Sequence, residues 1–99
     1  MDMDTLMAQA KQLQDNVAVA QDRLGGMRVK GLAKGGTCIV DMSGKYDIVS
    51  ITINPSILGQ GTAAVEEAVL SALQDAKGKA DELIDKVMSE ATAGMQLPQ

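Results

Sequence analysis

Met3, Leu6, Ala10, Leu13, Val17, Ala20 and Leu24 recur at spacings of 3, 4, 3, 4, 3 and 4, an unbroken apolar stripe over three heptads. Met7 widens the stripe at one end, while Gln9, Lys11, Gln12, Gln14, Asp15, Asn16, Gln21 and Asp22 cover the other faces. No Gly or Pro falls inside it, and Gly25-Gly26 follow it. Glycine takes the left-handed conformation that ends a helix without a steric penalty. The spacing therefore predicts a helical arm over residues 1–26 whose seam must bury against another helix.

Beyond Gly26 the apolar period changes from 3.6 to 2. In Met27 to Ala33, the residues Met27, Val29 and Ala33 face one way and Arg28 and Lys30 the other, so both charges share one side of a short strand. Lys34-Gly35-Gly36 reads as a turn. A second strand runs from Thr37 to Ser43, with Cys38, Val40 and Met42 on one face; Ser43-Gly44-Lys45 turns the chain again. The third strand, Tyr46 to Asn54, sets Val49, Ile51 and Ile53 against Ser50 and Thr52. Turns this short join antiparallel neighbours, so residues 27–54 predict a three-stranded meander.

Asn54-Pro55 closes the sheet and Ser56 to Gly61 reads as a connection. Thr62 is the expected N-cap of a second helix, with Glu66 and Glu67 early, where the helix dipole favours acids. Apolar residues at helical spacing carry that helix over 62–91, with Gly78 inside it at a cost of about 1 kcal/mol relative to Ala, which leaves room for a bend or a break there. Residues 92–99 read as a tail. The fold class is α+β, a single domain over residues 1–99 in the order α-β-β-β-α. Helices of these lengths, about 33 and 45 Å, overhang a three-stranded sheet. A second copy related by a twofold axis is the economical cover for their outer seams, so the chain is expected to be a homodimer with protruding helices.

The chain has no His, Trp or Phe, a single aromatic residue in Tyr46, and seven Met residues that fill an aliphatic core. The lone Cys38 has no partner for an internal disulfide and reads as a buried small hydrophobe in a reducing cytoplasm. Asp2 and Asp4 stand where a secretory signal carries basic residues, and no apolar run reaches the roughly 18 residues of a membrane span. A cytoplasmic protein with no membrane partner is the expectation.

Without His, the usual general base near neutral pH and the commonest metal ligand are missing. Cys38 has neither a His partner nor a second cysteine, which leaves thiol catalysis and zinc binding unsupported. Asp81 and Asp85 share a helix face and read as solvated. Gly31 to Thr37 is superficially similar to a phosphate loop, but there the Lys and Thr follow the last Gly together and open a helix, whereas here a strand follows. The expectation is a protein that is not an enzyme, with no cofactor, no metal and no small-molecule substrate.

Charge is the remaining signal. The net charge is −4, yet residues 23–34 carry Arg23, Arg28, Lys30 and Lys34 with no acid, a local +4 inside an acidic chain. One reading is an edge strand kept soluble by basic side chains. The other is neutralisation of duplex phosphates by these four residues, which positions a protein without reading much sequence. One aromatic cannot build the stacking platforms that hold single strands or RNA loops. If all four engage in each half of a dimer, log affinity falls against log salt with a slope near about −7, from roughly 0.9 per phosphate. The rival from another class is a helical protein–protein adaptor whose exposed seams recruit a partner, with DNA incidental.

The order of motifs adds a resemblance. Met3, Leu6, Met7, Gln9 and Ala10 open the first helix; Val29, Gly31, Ala33, Gly35 and Gly36 form a Val-x-Gly-x-Ala-x-Gly-Gly turn; Ile51 to Pro55 reads Ile-x-Ile-Asn-Pro; Asp75-Ala76 lies in the second helix and Gly94 to Pro98 reads Gly-Met-x-Leu-Pro. Together these resemble the YbaB/EbfC family of small bacterial nucleoid-associated proteins over nearly the full chain. Lys34 stands where that family commonly has a further Gly, and Gln74 where Asn is common. The resemblance implies an α-β-β-β-α homodimer likened to tweezers, binding DNA of low sequence specificity in the cytoplasmic nucleoid. It brings no catalytic motif and assigns DNA contacts broadly to the helical arms, so the basic cluster is an inference from charge alone.

Overall fold

A computed structural model describes residues 2–93. Helix α1 spans Met3–Gly26, strands β1, β2 and β3 span Arg28–Leu32, Cys38–Ser43 and Ile48–Ile53, and helix α2 spans Thr62–Ala93. Short 3-10 turns occupy Lys34–Gly36 and Pro55–Gln60. The expected order α-β-β-β-α is the observed one; the motif over Gly94 to Pro98 lies outside the described residues.

At the start of α1 the Asp2 carboxylate accepts the Thr5 backbone N–H at 2.8 Å, which satisfies one of the orphan donors of a helix N-terminus. The other end differs from expectation. Both Gly25 and Gly26 lie inside the helix, and neither adopts a positive φ. The helix stops because Met27 turns to extended backbone, and its terminal carbonyls find donors from elsewhere in the fold. The Gly44 N–H donates to Leu24 O at 3.0 Å, and Arg28 Nη1 donates to Gly25 O at 3.0 Å.

The strands form one antiparallel sheet in the order β1-β2-β3. Its inner face carries Ala33, Cys38, Val40 and Met42 and packs on an alanine stripe of α2, Ala68, Ala72, Ala76 and Ala80, all buried. Alanines at four-residue spacing let the helix axis approach the sheet. Gly31 completes the fit: a Cβ there would overlap the Ala72 carbonyl oxygen and the Ala76 backbone nitrogen. The helix α2 is continuous through Gly78 and begins at Thr62, so the position before the helix falls on Gly61, at φ 100°.

Two further features depart from the alternating pattern. Tyr46 sits in the turn at φ 66° rather than in β3. The register also shifts between Asp41 and Met42, which leaves Val49 unpaired as a bulge. Because α2 lies over β1 and β2, strand β3 emerges from under it with Ile48, Val49 and Ile51 exposed.

A second, smaller core joins the helices, where Ala20 and Leu24 of α1 meet Val87 of α2, with Leu83, Ile84 and Met88 around them. The helices run antiparallel there, with Asn16 Nδ2 donating to Ala91 O at 3.5 Å. The first half of α1 therefore reaches past this contact, with Met3, Leu6, Met7 and Leu13 exposed. The molecule measures 68 × 24 × 15 Å with a radius of gyration of 19.3 Å, against about 13 Å for a compact chain of this size.

Candidate nucleic-acid interface

The four basic residues singled out from charge lie along one line of the fold but do not form a single cluster. Arg23 is exposed in the last turn of α1, beside Asn16, Ala20, Glu90 and Ala91. Arg28 opens β1, and its guanidinium donates to Gly25 O and, at 3.1 Å, to Met27 O, so it fastens the C-terminal end of α1. A cation there also complements the negative end of the helix dipole. Lys30 lies on the same outer face of β1 as Arg28, across the ladder from Asp41. Lys34 is exposed in the turn at the far end of the strand, about 20 Å from Arg28 at 3.3 Å per residue.

The fold adds a residue that local sequence does not disclose. The stem of Lys45, in the turn between β2 and β3, lies near Gly25, with its Cε 3.5 Å from where a Gly25 Cβ would stand. Arg28 and Lys45 thus both reach Gly25 at the end of α1, with Lys30 further along the outer sheet face, while Arg23, two residues before Gly25, lies toward Asn16 and Glu90. Only the docking of the hairpin turn onto α1 brings Lys45 there. Among the described residues the one ion pair is Lys79 with Asp75 at 2.9 Å, so none of these four cations is paired within it.

Three acidic groups of the sheet and α2 make contacts of their own, while Glu90 lies beside Arg23. The Tyr46 hydroxyl donates to Asp81 Oδ1, and this hydrogen bond, with Asp85 nearby, pushes the phenol above its ordinary value of 10.0. Asp41 Oδ2 accepts from Ser50 Oγ at 2.9 Å. Asp75 Oδ2 accepts the Leu32 N–H at 2.8 Å and meets Lys79, which together hold its carboxyl below 3.8. Burial pushes the Cys38 thiol up, away from the thiolate form that reacts. No group of three or more His, Cys, Asp or Glu among the described residues is arranged to hold a metal ion, and no described helix is long and apolar enough to cross a membrane.

The outer face of the sheet carries no helix, and the cations lie at its β1 border and at the end of an extended helical arm. That combination defines a small α+β protein with a line of exposed cations along one side. The YbaB/EbfC DNA-binding family matches residues 1–95, and the chain belongs to that family. It is 39% identical over 94 residues to a nucleoid-associated protein of Rhodospirillum rubrum, an alignment covering 94% of this chain and 88% of that protein. It is 42% identical over 93 residues to a nucleoid-associated protein of Bordetella avium, covering 94% and 86%. An uncharacterized protein of Helicobacter pylori with a crystal structure shares the fold at a TM-score of 0.77 and 20% identity, covering 88% of this chain and 92% of that one.

Proposed function

We propose that this protein is a homodimeric nucleoid protein that binds duplex DNA through phosphate contacts with low sequence specificity, and in doing so compacts DNA or modulates local expression. The observation that carries this reading is the approach of Arg28 and Lys45 to Gly25 at the end of α1, with exposed Arg23 and Lys30 on either side along the chain, in an otherwise acidic member of a DNA-binding family. Such cations neutralise phosphates and release counterions, a source of affinity that does not depend on base sequence. Lys34, at the far end of β1, belongs to the same basic line and is an outlying contact. Duplex is favoured over single strands because a chain with one aromatic, Tyr46, cannot build a platform on which successive bases stack. The relatives named as nucleoid-associated support a place in the nucleoid.

The homodimer reading rests on shape. The first half of α1 stands away from the domain with Met3 and Met7 among its most exposed residues, and β3 leaves apolar side chains uncovered. Titration of unrelated duplexes and of matched single strands by fluorescence anisotropy tests the DNA reading. Similar affinities for all duplexes and weaker binding of single strands are expected; no duplex binding at low salt would refute it. The exposed stripe on an acidic α1 favours a second reading, a helical adaptor for another protein. In that case partner capture persists when duplex affinity is absent.

A further inference from the structure

The heptad stripe of α1 is buried at one end only. Ala20 and Leu24 pack against Val87 of α2, whereas Met3, Leu6, Met7 and Leu13 are exposed. Leu6, Ala10 and Leu13 continue the heptad line of Ala20 and Leu24 along the same side of the helix. The uncovered half of the seam therefore faces the line along which α2 would be prolonged.

The chain itself continues from that point. Asn16 of α1 is bonded to Ala91 O of the antiparallel α2, and α2 reaches Ala93 two residues later. With the same rise per residue in both helices, Ala93 stands level with Gln14. Residues 94–98, outside the described part, read Gly-Met-Gln-Leu-Pro and carry no charge. Glycine is the residue type most often found just past a helix end, and proline restricts the residue before it to extended backbone. In an extended chain alternate side chains share a face, which sets Met95 with Leu97 and puts Gln96 opposite. Five such residues reach about 16 Å at roughly 3.3 Å each. That is the rise of about eleven residues of α1 at roughly 1.5 Å each, the run from Gln14 back to Met3. Met95 then falls level with Ala10 and Leu97 with Leu6, while Met3 lies at the limit of reach.

We propose that the segment Gly94 to Pro98 docks in extended form on the outer seam of α1 in its own chain, with Met95 on Ala10 and Leu13 and Leu97 on Leu6. The occupant is this segment because it begins where the seam becomes uncovered, matches the seam in length and presents two apolar side chains on one face. Having no charge, it is buried there without stripping water from an ion. Its tether to α2 holds it at an effective concentration on the order of millimolar, so a helix of another protein reaches the seam only by displacing it. The arm is then an interaction surface with a built-in cover, closed at rest and opened by a competitor of larger apolar area. The inference is independent of the duplex reading, since none of Arg23, Arg28, Lys30 and Lys45 lies on the outer half of α1.

Magnetic resonance of the full chain tests this. Nuclear Overhauser contacts are expected from Met95 to the Ala10 methyl and from Leu97 to Leu6. They persist when labelled protein is diluted into an excess of unlabelled protein, because both groups belong to one chain. Leu97→Ser is expected to speed amide exchange over Leu6 to Leu13 by at least about tenfold, the loss that follows when a buried leucine contact is removed, with the sheet amides unchanged. Gln96→Ser, on the opposite face, leaves the exchange of α1 as it was. Neither residue belongs to the two apolar cores, so both variants keep the fold. Absence of the contacts, or exchange over Leu6 to Leu13 that is unaltered by Leu97→Ser, overturns the proposal and leaves the seam to a partner of another kind. An equal effect of Gln96→Ser overturns the assignment of the buried face. Contacts that vanish on dilution with unlabelled protein overturn it in favour of a segment supplied by a second copy.

Discussion

The carboxylate of Asp75 on α2 accepts the backbone N–H of Leu32 on β1 at 2.8 Å. This bond ties α2 to the edge of β1, and the Lys79 ammonium, bound to both Asp75 and the Lys30 carbonyl, completes a clamp on the strand edge. The ionised carboxylate is what the clamp favours, since the Leu32 N–H and the Lys79 cation both stabilise its negative charge.

The clamp has a pH dependence of defined sign. Because the folded-state value for Asp75 lies below the ordinary 3.8, its contribution to stability is complete above that ordinary value and is lost as pH falls through the lowered one. Acid unfolding of Asp75→Asn is expected to lack that component, and its Leu32 amide to exchange faster at neutral pH. Both are read from urea melts across the acid range and from hydrogen exchange. Identical acid profiles for the two proteins would contradict the assignment.

Gly31 and Gly78 predict opposite outcomes for the same substitution. Gly31→Ala drives a methyl into the backbone of α2 at Ala72 and Ala76, so overpacking of about 3 kcal/mol or more is expected. Nothing lies within 4 Å of a Cβ at Gly78, and Gly78→Ala gains roughly 0.8–1.0 kcal/mol from helix propensity. Denaturant melts of the two variants give the signs directly.

Tyr46 offers a titration without interference, being the one aromatic in the chain. Its ionisation would lose the bond to Asp81 and set two negative charges together, so the folded protein titrates above 10.0. Stability from this bond is complete below the ordinary value and fades as pH rises through the raised one. The ultraviolet absorbance titration of Asp81→Asn should move back toward 10.0. No movement would show that the hydroxyl points elsewhere in solution.

The α1–α2 contact is the root of the arm. Leu24 is 3% exposed against Val87 at 2%, and Leu24→Ala is expected to cost about 2–5 kcal/mol. A Met3→Gln substitution in the exposed outer half should change monomer stability by less than about 0.5 kcal/mol. A comparable loss for both would mean that the arm is packed along its whole length within one chain.

The helix carrying the stripe from Met3 to Leu24 and the alternation through Cys38, Val40 and Met42 were legible because local period sets the element and the face each side chain takes. What was not legible depended on partners far along the chain. Gly25-Gly26 read as a left-handed stop, yet the end of α1 is made by Gly44 and Arg28, which supply its caps. Tyr46 read as strand because aromatics favour strands, whereas the turn and its bond to Asp81 hold it at positive φ. Ile51 alternates correctly but is not buried, since period says which face a side chain takes and not how far the covering helix extends. The basic residues of 23–34 were visible as a charge run. Lys45 was not, because only the docked hairpin brings it to Gly25.

The central claim, that cations around the end of α1 bind duplex phosphates, is tested most directly by the salt dependence of duplex affinity in the unaltered protein and in a variant with Arg23, Arg28, Lys30 and Lys45 changed to Gln. The account predicts a steep linear log–log slope for the unaltered dimer, up to about −7 for four contacts in each protomer. It predicts a shallow slope and strongly reduced affinity for the variant, with sedimentation unchanged and circular dichroism showing a folded protein that loses at most the last turn of α1, where Arg28 supplies a cap. A slope and affinity that survive the four substitutions would contradict it and move the contact onto the arms, to Lys11, Lys77, Lys79 and Lys86.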